Sequence, residues 1–321
     1  VIPKYVPQGA KLRALLQSLR LETNEPMKGP LKKAQSEVRS LIGELRYPTS
    51  VHLRSVRPMH ALSRVAARPP LPDAMNAALG VLALMYVSRE EGISYGGVCA
   101  TTRYHGAMHG SVYAKGGKAI ATKGSGCKLD EGAPMELEGA ADATWSMWDE
   151  SMGEDGCRDV YAAAMTANGG AVLTELKTIH LATGASTIAE GYASLKLSDK
   201  IEYGRTVWEA LQGKPIEQPS MLLSDNESNL RVAAGEISAT RVRHALRRWA
   251  IITQRVRKGT QALGHIGDKD NYVDFFTKWT SDAKDEASIA YITNARSRAA
   301  HANATPQPAP VYELNEKVKL S

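Results

Sequence analysis

The chain has 321 residues, 43% of them hydrophobic, with a formal net charge of +6 and an isoelectric point near 9.1. That length suffices for two modest domains with cores of their own, and no run of eighteen apolar residues exists that would span a membrane. The basic balance suits a partner that carries phosphates, although many proteins are this basic. Cys99, Cys127 and Cys157 are sparse and form no CxxC pair, which argues against a disulfide framework or a zinc knuckle and for a reducing, intracellular compartment. The first residue is Val1 rather than Met, so a processed N-terminus is expected, and a mitochondrion or other organelle fits as well.

Residues 1–30 carry Pro3, Pro7, Pro26 and Pro30 and read as an N-terminal arm with one short helix over 12–19. From 31 to 95 the spacing predicts a small three-helix unit. Val38, Leu41, Ile42 and Leu45 recur at helical period before Tyr47-Pro48; Met59, Leu62 and Val65 share one face; Pro72 and Asp73 open a third helix that runs through Tyr86. Residues 96–135 are rich in Gly and Lys and read as an insertion or linker with short strands near 111–114 and 119–122. Gly117-Lys118 lacks the spacing of a phosphate loop. His105 and His109 are four apart, but Gly106 and Gly110 beside them disfavour a helix, so they read as loop histidines rather than metal ligands.

From Leu137 strand and helix signals alternate. A strand over 137–147 contains Asp142, and Asn168-Gly169-Gly170 joins two strands as a hairpin. Ser186-Thr187 is expected to cap a helix whose apolar positions Ile188, Tyr192 and Leu195 continue, after an irregular turn, as Tyr203, Val207 and Leu211. The run Met221 to Leu223 delivers Asp225 and Asn226 at its end, as a buried parallel strand places groups at its carboxyl edge. A helix over 227–234, a basic helix over 240–258, a strand over 261–266 and a helix over 271–279 follow. The order implies an α/β domain with a mixed sheet over 136–280. The tail from 281 to 321, with Pro306, Pro308 and Pro310, is expected to be extended and to have little fold of its own.

Four acidic residues fall at element ends in this domain: Asp142, Glu190, Asp225 and Asp274. Four carboxylates converging on one place repel one another, and such a cluster persists only around cations. Hard oxygen ligands suit Mg²⁺ or Mn²⁺, and two such ions about 4 Å apart are the arrangement that clamps a phosphodiester during hydrolysis. The alternative is plain: with 34 acidic residues in the chain, an Asp or Glu beside a helix start is usually a cap or a solvated charge.

The segments Ala141-Asp142-Ala143-Thr144-Trp145, Ser186-Thr187-Ile188-Ala189-Glu190-Gly191-Tyr192-Ala193, Ser224-Asp225-Asn226-Glu227-Ser228 and Val273-Asp274-Phe275-Phe276-Thr277-Lys278 resemble, in order and separation, the ribonuclease H domain of copia-type retrotransposon polyproteins. Upstream, Ser40-Leu41-Ile42-Gly43-Glu44-Leu45-Arg46-Tyr47, Ala61-Leu62-Ser63-Arg64 and Gly80-Val81-Leu82-Ala83-Leu84-Met85-Tyr86 resemble the connection between the reverse-transcriptase palm and that domain. The resemblance implies a ribonuclease H-like mixed sheet with flanking helices. It makes Asp142, Glu190, Asp225 and Asp274 metal-binding carboxylates for two Mg²⁺. It likens His265 to the mobile-loop histidine that helps release product or position water; an ordinary loop histidine is the other reading. Arg241, Arg243, Arg247, Arg248, Arg255, Arg257 and Lys258 would then face the phosphates of RNA or of an RNA/DNA hybrid, though residues on both sides of one helix cannot all do so.

The chain departs from the family at Thr144 and Ile188, where second acidic residues are usual, and Gly191 and Gly204 weaken the Glu190 helix by about 1 kcal/mol each relative to Ala. No paired-Asp polymerase motif occurs. That favours a domesticated remnant acting as an RNA- or protein-binding subunit, with protein partners in a large assembly such as a mitochondrial or other organellar ribosome. The alternative is an active, Mg²⁺-dependent ribonuclease H that cuts the RNA of RNA/DNA hybrids as a fragment of a reverse transcriptase.

Overall fold

The computed structural model describes residues 9–19, 28–65, 71–89, 91–93, 95, 112–113, 119–120, 136–144, 159–180, 185–235, 246–268 and 270–294. His105, His109, Gly117-Lys118, Arg241, Arg243 and the proline-containing end of the chain lie outside them. The chain divides into two compact units, one helical and one α/β. Among the described residues no helix is long and apolar enough to cross a membrane.

The helical unit comprises α1 (Gly9–Ser18), α2 (Pro30–Arg46), α3 (Val56–Val65) and α4 (Leu71–Val87). Pro30 opens α2, where a missing N–H costs nothing. The expected three-helix unit is thus joined by a fourth helix from the supposed arm, because Leu12 and Leu16 of α1, and Leu19 just beyond it, are buried and α1 packs on α3 and α4.

The α/β unit is built on β1 (Val112–Tyr113), β2 (Ala119–Ile120), β3 (Leu137–Thr144), β4 (Val160–Ala167), β5 (Gly170–Thr178), β6 (Ser220–Ser224) and β7 (Gln261–His265). Its helices are α5 (Ser186–Gln212), α6 (Glu227–Ala233), α7 (Leu246–Lys258), α8 (Asp274–Thr277) and α9 (Asp282–Ile292). The sheet order is β2-β1-β7-β6-β3-β4-β5. Strands β3, β4 and β5 form an antiparallel meander, while β6 runs parallel to β3 and β7 parallel to β6. This mixed five-strand core with flanking helices is an α/β arrangement that agrees with the ribonuclease H-like sheet the resemblance implies. The Gly- and Lys-rich stretch does more than connect: β1 pairs antiparallel with β7 and widens the sheet.

Asn168 and Gly169 both have positive φ, at 45° and 86°, the conformation a two-residue hairpin turn requires; they place Ala167 opposite Gly170. Alternation along β3 divides its side chains between two faces. Ala141 and Ala143 belong to the core packed under α5, α6 and α7, whereas Asp142 meets Thr277 and Glu138 meets Tyr291.

The structure differs from the sequence-based expectation at three places. Helix α5 is continuous over 27 residues, starts after Ala185 with no side-chain cap, and keeps Ser186 inside its first turn. Its buried row continues through Ala193, Leu197, Ile201 and Arg205, so Tyr203, Val207 and Leu211, offset by half a turn, are solvent-facing, with Tyr203 68% exposed. Arg205 can be buried because it donates to the carbonyls of Gln218 and Ile216 and to Ser220 Oγ. Finally, the chain past 281 is not wholly extended. Ser281 caps α9 by accepting from Lys284 N, and Tyr291 of that helix donates to the buried Glu138 carboxylate at 2.5 Å.

Gly191 has a packing reason that outweighs its helix cost. A Cβ there would stand 2.4 Å from Trp249 Cζ2, and Trp249 is buried and fixed by donating Nε1–H to Asn229 Oδ1 at 2.8 Å. At Gly204 the nearest atom would be Met165 Cε at 3.0 Å, the end of a flexible chain. Gly191→Ala is therefore expected to destabilise by about 1–2 kcal/mol, overpacking exceeding the helix-propensity gain. Gly204→Ala should be neutral or stabilising by up to about 1 kcal/mol. Urea midpoints at constant m-value check this; stabilisation by Gly191→Ala would contradict the packing account.

Candidate metal centre

Each of the four carboxylates owes its position to a different element. Asp142 lies near the carboxyl end of β3, in register with Ala162 of β4. Asp225 follows β6, held between two anchored neighbours. Ser224 is buried beside Asn229, and Asn226 caps α6 by accepting from Asn229 N at 2.9 Å. Asn229 also donates to Ser194 Oγ at 2.7 Å, which fastens this corner to α5, the helix that carries Glu190. Because β3 and β6 are parallel neighbours, their carboxyl ends meet at one edge, where α/β sheets collect functional groups. Asp274 opens α8.

Ligand oxygens of Asp142, Glu190 and Asp225 lie within 4.8 Å of one another, and so do those of Asp225, Asp268 and Asp274. The two trios share Asp225. Asp142 and Asp274 are each 1% exposed and Glu190 6%. Glu190 Oε1 accepts from Ala143 N at 3.4 Å, while its Oε2 is buried without a hydrogen-bond partner. A buried anionic oxygen with no donor is costly unless a cation or a proton meets it. The donor set, all carboxylate oxygen, suits a hard divalent ion.

The electrostatics agree. Burial, followed by the charges of Asp225 and Asp274, pushes Asp142 up to about 7 against the opposing effects of Lys278 and the Thr277 hydroxyl. Burial and then the neighbouring Asp142 and Asp225 hold Glu190 well above the usual carboxylate range. Burial also raises Asp225, opposed mainly by the hydrogen bond from Asn271.

The groups that brace the cluster have little signature in the sequence. Asn271 Nδ2 donates to Asp225 Oδ2 at 3.0 Å and to Asp274 Oδ1 at 2.9 Å. Thr277 Oγ1 donates to Asp142 Oδ2. Lys278 Nζ lies 3.2 Å from Asp274 Oδ1 and 3.7 Å from Asp142 Oδ1, and Lys284 Nζ lies 2.5 Å from Asp274 Oδ2. Burial works against the Lys278 charge, but Asp142, Asp274 and Asp225 more than offset it and raise its pKa. The i, i+4 spacing of Asp274 and Lys278 was a readable signal for the first ion pair; Lys284 reaches back from a separate helix.

His265 is the half-buried last residue of β7, paired in register with Ser224, and so sits in a strand rather than a loop. Of the basic residues, α7 carries five. Arg247, Arg257 and Lys258 are exposed. Arg248 lies over the Tyr192 ring at 5.6 Å, where Lys196 approaches to 5.3 Å. Arg255 donates to Asp199 Oδ1 and Ser198 Oγ at 2.7 Å each.

No family model and no curated protein matches the chain. Similar solved structures include LC11 ribonuclease H1 in complex with an RNA/DNA hybrid, at 12% identity over 42% of this chain and 88% of that one, with a TM-score of 0.32. Another is the N-terminal ribonuclease H domain of rv2228c from Mycobacterium tuberculosis, solved as a fusion with maltose-binding protein, at 13% identity over 48% of this chain and 99% of that one, also with a TM-score of 0.32.

Folding raises Asp142 from its ordinary 3.8 to about 7, so folding favours the protonated form. The associated stability is fully present below about pH 4 and is lost as pH rises through about 7. Metal-free protein is expected to weaken between pH 5 and pH 8, and Asp142→Asn should exceed wild type at pH 8 by about 1–2 kcal/mol. Denaturant midpoints in chelator check this; a wild type more stable at pH 8 than at pH 5, with Asp142→Asn weaker still, would contradict it.

Proposed function

We propose that the chain is a divalent-metal-dependent nuclease of the ribonuclease H type, acting on the RNA strand of RNA/DNA hybrids as part of a copia-like reverse transcriptase. The observation that carries this reading is the buried trio Asp142, Glu190 and Asp225 with the unpartnered Glu190 Oε2. A fold kept only as scaffold would have no reason to retain so costly a group. When bound, Mg²⁺ supplies Lewis-acid chemistry to water and phosphate oxygens.

In this reading Asp142, Glu190 and Asp225 would hold the ion, and Asn271 and Thr277 keep two of those carboxylates from rotating. His265, whose neighbour across the strands directly precedes Asp225, brings an imidazole that can donate or accept a hydrogen bond beside the site. Arg247, Arg257 and Lys258 supply sequence-independent, salt-dependent attraction to a phosphate backbone. Tyr192, flanked by Lys196 and Arg248, adds an aromatic surface of the kind that contacts bases or sugars.

A second reading is an RNA- or protein-binding subunit of a larger assembly. One observation favours it: two lysines already neutralise Asp274, so part of the cluster is charge-balanced without metal.

Labelled hybrid incubated with the full chain and Mg²⁺ separates them. Cleavage of the RNA strand, lost by on the order of 10³-fold in Asp142→Asn while hybrid affinity stays within about threefold, is expected. Hybrid bound but uncut by wild type, or cut equally by both proteins, would overturn the nuclease reading.

A further inference from the structure

We propose that Lys278 and Lys284 take the place of one cation in the carboxylate cluster, so that the chain holds a single divalent ion, on Asp142, Glu190 and Asp225, with Asp274 kept in an ion pair. This rests on the reading above that the first trio takes a cation, and it narrows the two-ion expectation drawn from the sequence.

The two trios are not equivalent. In the first, Glu190 Oε2 is buried and without a partner. The ammonium that approaches this trio, Lys278, stands 3.7 Å from Asp142 Oδ1, longer than a direct hydrogen bond. In the second trio both oxygens of Asp274 are engaged. Oδ2 has Lys284 Nζ at 2.5 Å, and Oδ1 has Asn271 Nδ2 at 2.9 Å and Lys278 Nζ at 3.2 Å. A divalent ion bound to Asp274 would have to expel at least one of these donors or stand beside an ammonium charge in a buried place, where like charges are screened least.

Lys284 is not a long side chain that happens to fall there. Its backbone N–H donates to Ser281 Oγ at 3.3 Å in the cap of α9, and its Nζ also donates to the Asp268 carbonyl at 2.5 Å. Its side chain is 19% exposed. The lysine is therefore fixed at both ends, and the carbonyl that shares its ammonium belongs to the residue completing the second trio. Lys278, one turn after Asp274, spans from Asp274 to Asp142 and so lies between the trios, where a second ion's charge would be needed.

The test is the stoichiometry of Mn²⁺ bound to the full chain, read from the free-ion electron paramagnetic resonance signal and by isothermal titration, without nucleic acid. Wild type is expected to bind one Mn²⁺ per chain at millimolar free ion. Asp142→Asn should lose it, and Lys284→Met or Lys278→Met/Lys284→Met, checked for folding by circular dichroism, should gain a second. Two ions of comparable affinity in wild type would overturn this inference and leave the nuclease reading standing. Folded lysine variants that still bind only one ion would overturn it as well. No ion in wild type would overturn both. Should the lysine variants not fold, the wild-type count decides alone.

Discussion

Carboxylates repel, and burial makes the repulsion expensive; around that constraint the α/β unit is arranged. Asp142, Glu190 and Asp274 are buried and Asp225 partly so, yet they come from a strand, two helices and a strand end. Nothing in local propensity favours bringing them together. The cost is offset by specific donors: the Ala143 amide on Glu190, Thr277 on Asp142, Asn271 on Asp225 and Asp274, and the two lysines. Glu190 Oε2 is the point where this compensation is incomplete, and an incomplete buried site is where a cation has most to gain.

The scaffold serves the same end. Small residues along β3 and β4 allow α5 to lie close to the sheet: a Cβ at Gly139 would stand 2.5 Å from Leu197 Cδ1. That closeness brings Glu190 within reach of the β3 backbone. The polar core network of Ser194, Ser224, Asn229 and Trp249 then fixes α5, β6 and α7 relative to one another. Buried polar networks of this kind, when satisfied, specify one arrangement, and here they hold the corner from which Asp225 projects.

Much of this was legible in the sequence where a pattern has a local cause. Asn168-Gly169 announces its turn because both residues tolerate positive φ, and the apolar run before Asp225 announces a buried strand. The four carboxylates were legible through their motifs, since each sits at an element end. What could not be read depended on tertiary context. The half-turn offset that exposes Tyr203, Val207 and Leu211 follows from which face meets the sheet, a choice that Arg205 disguises by occupying a core position. The helix after Ser281 looked too polar to fold because its anchor, Glu138, lies in a distant strand. Lys284 carries no pattern of its own, and the partners of Arg255, Asp199 and Ser198, lie on another helix far off in sequence.

The central claim is that Asp142, Glu190 and Asp225 form a cation site completed through Glu190 Oε2. Crystals of the full chain soaked in Mn²⁺, with data collected for anomalous scattering, test it most directly. The account predicts a peak bounded by these three carboxylates at about 2.0–2.6 Å from Glu190 Oε2. A map with no peak there, at an ion concentration that saturates binding in solution, would contradict it.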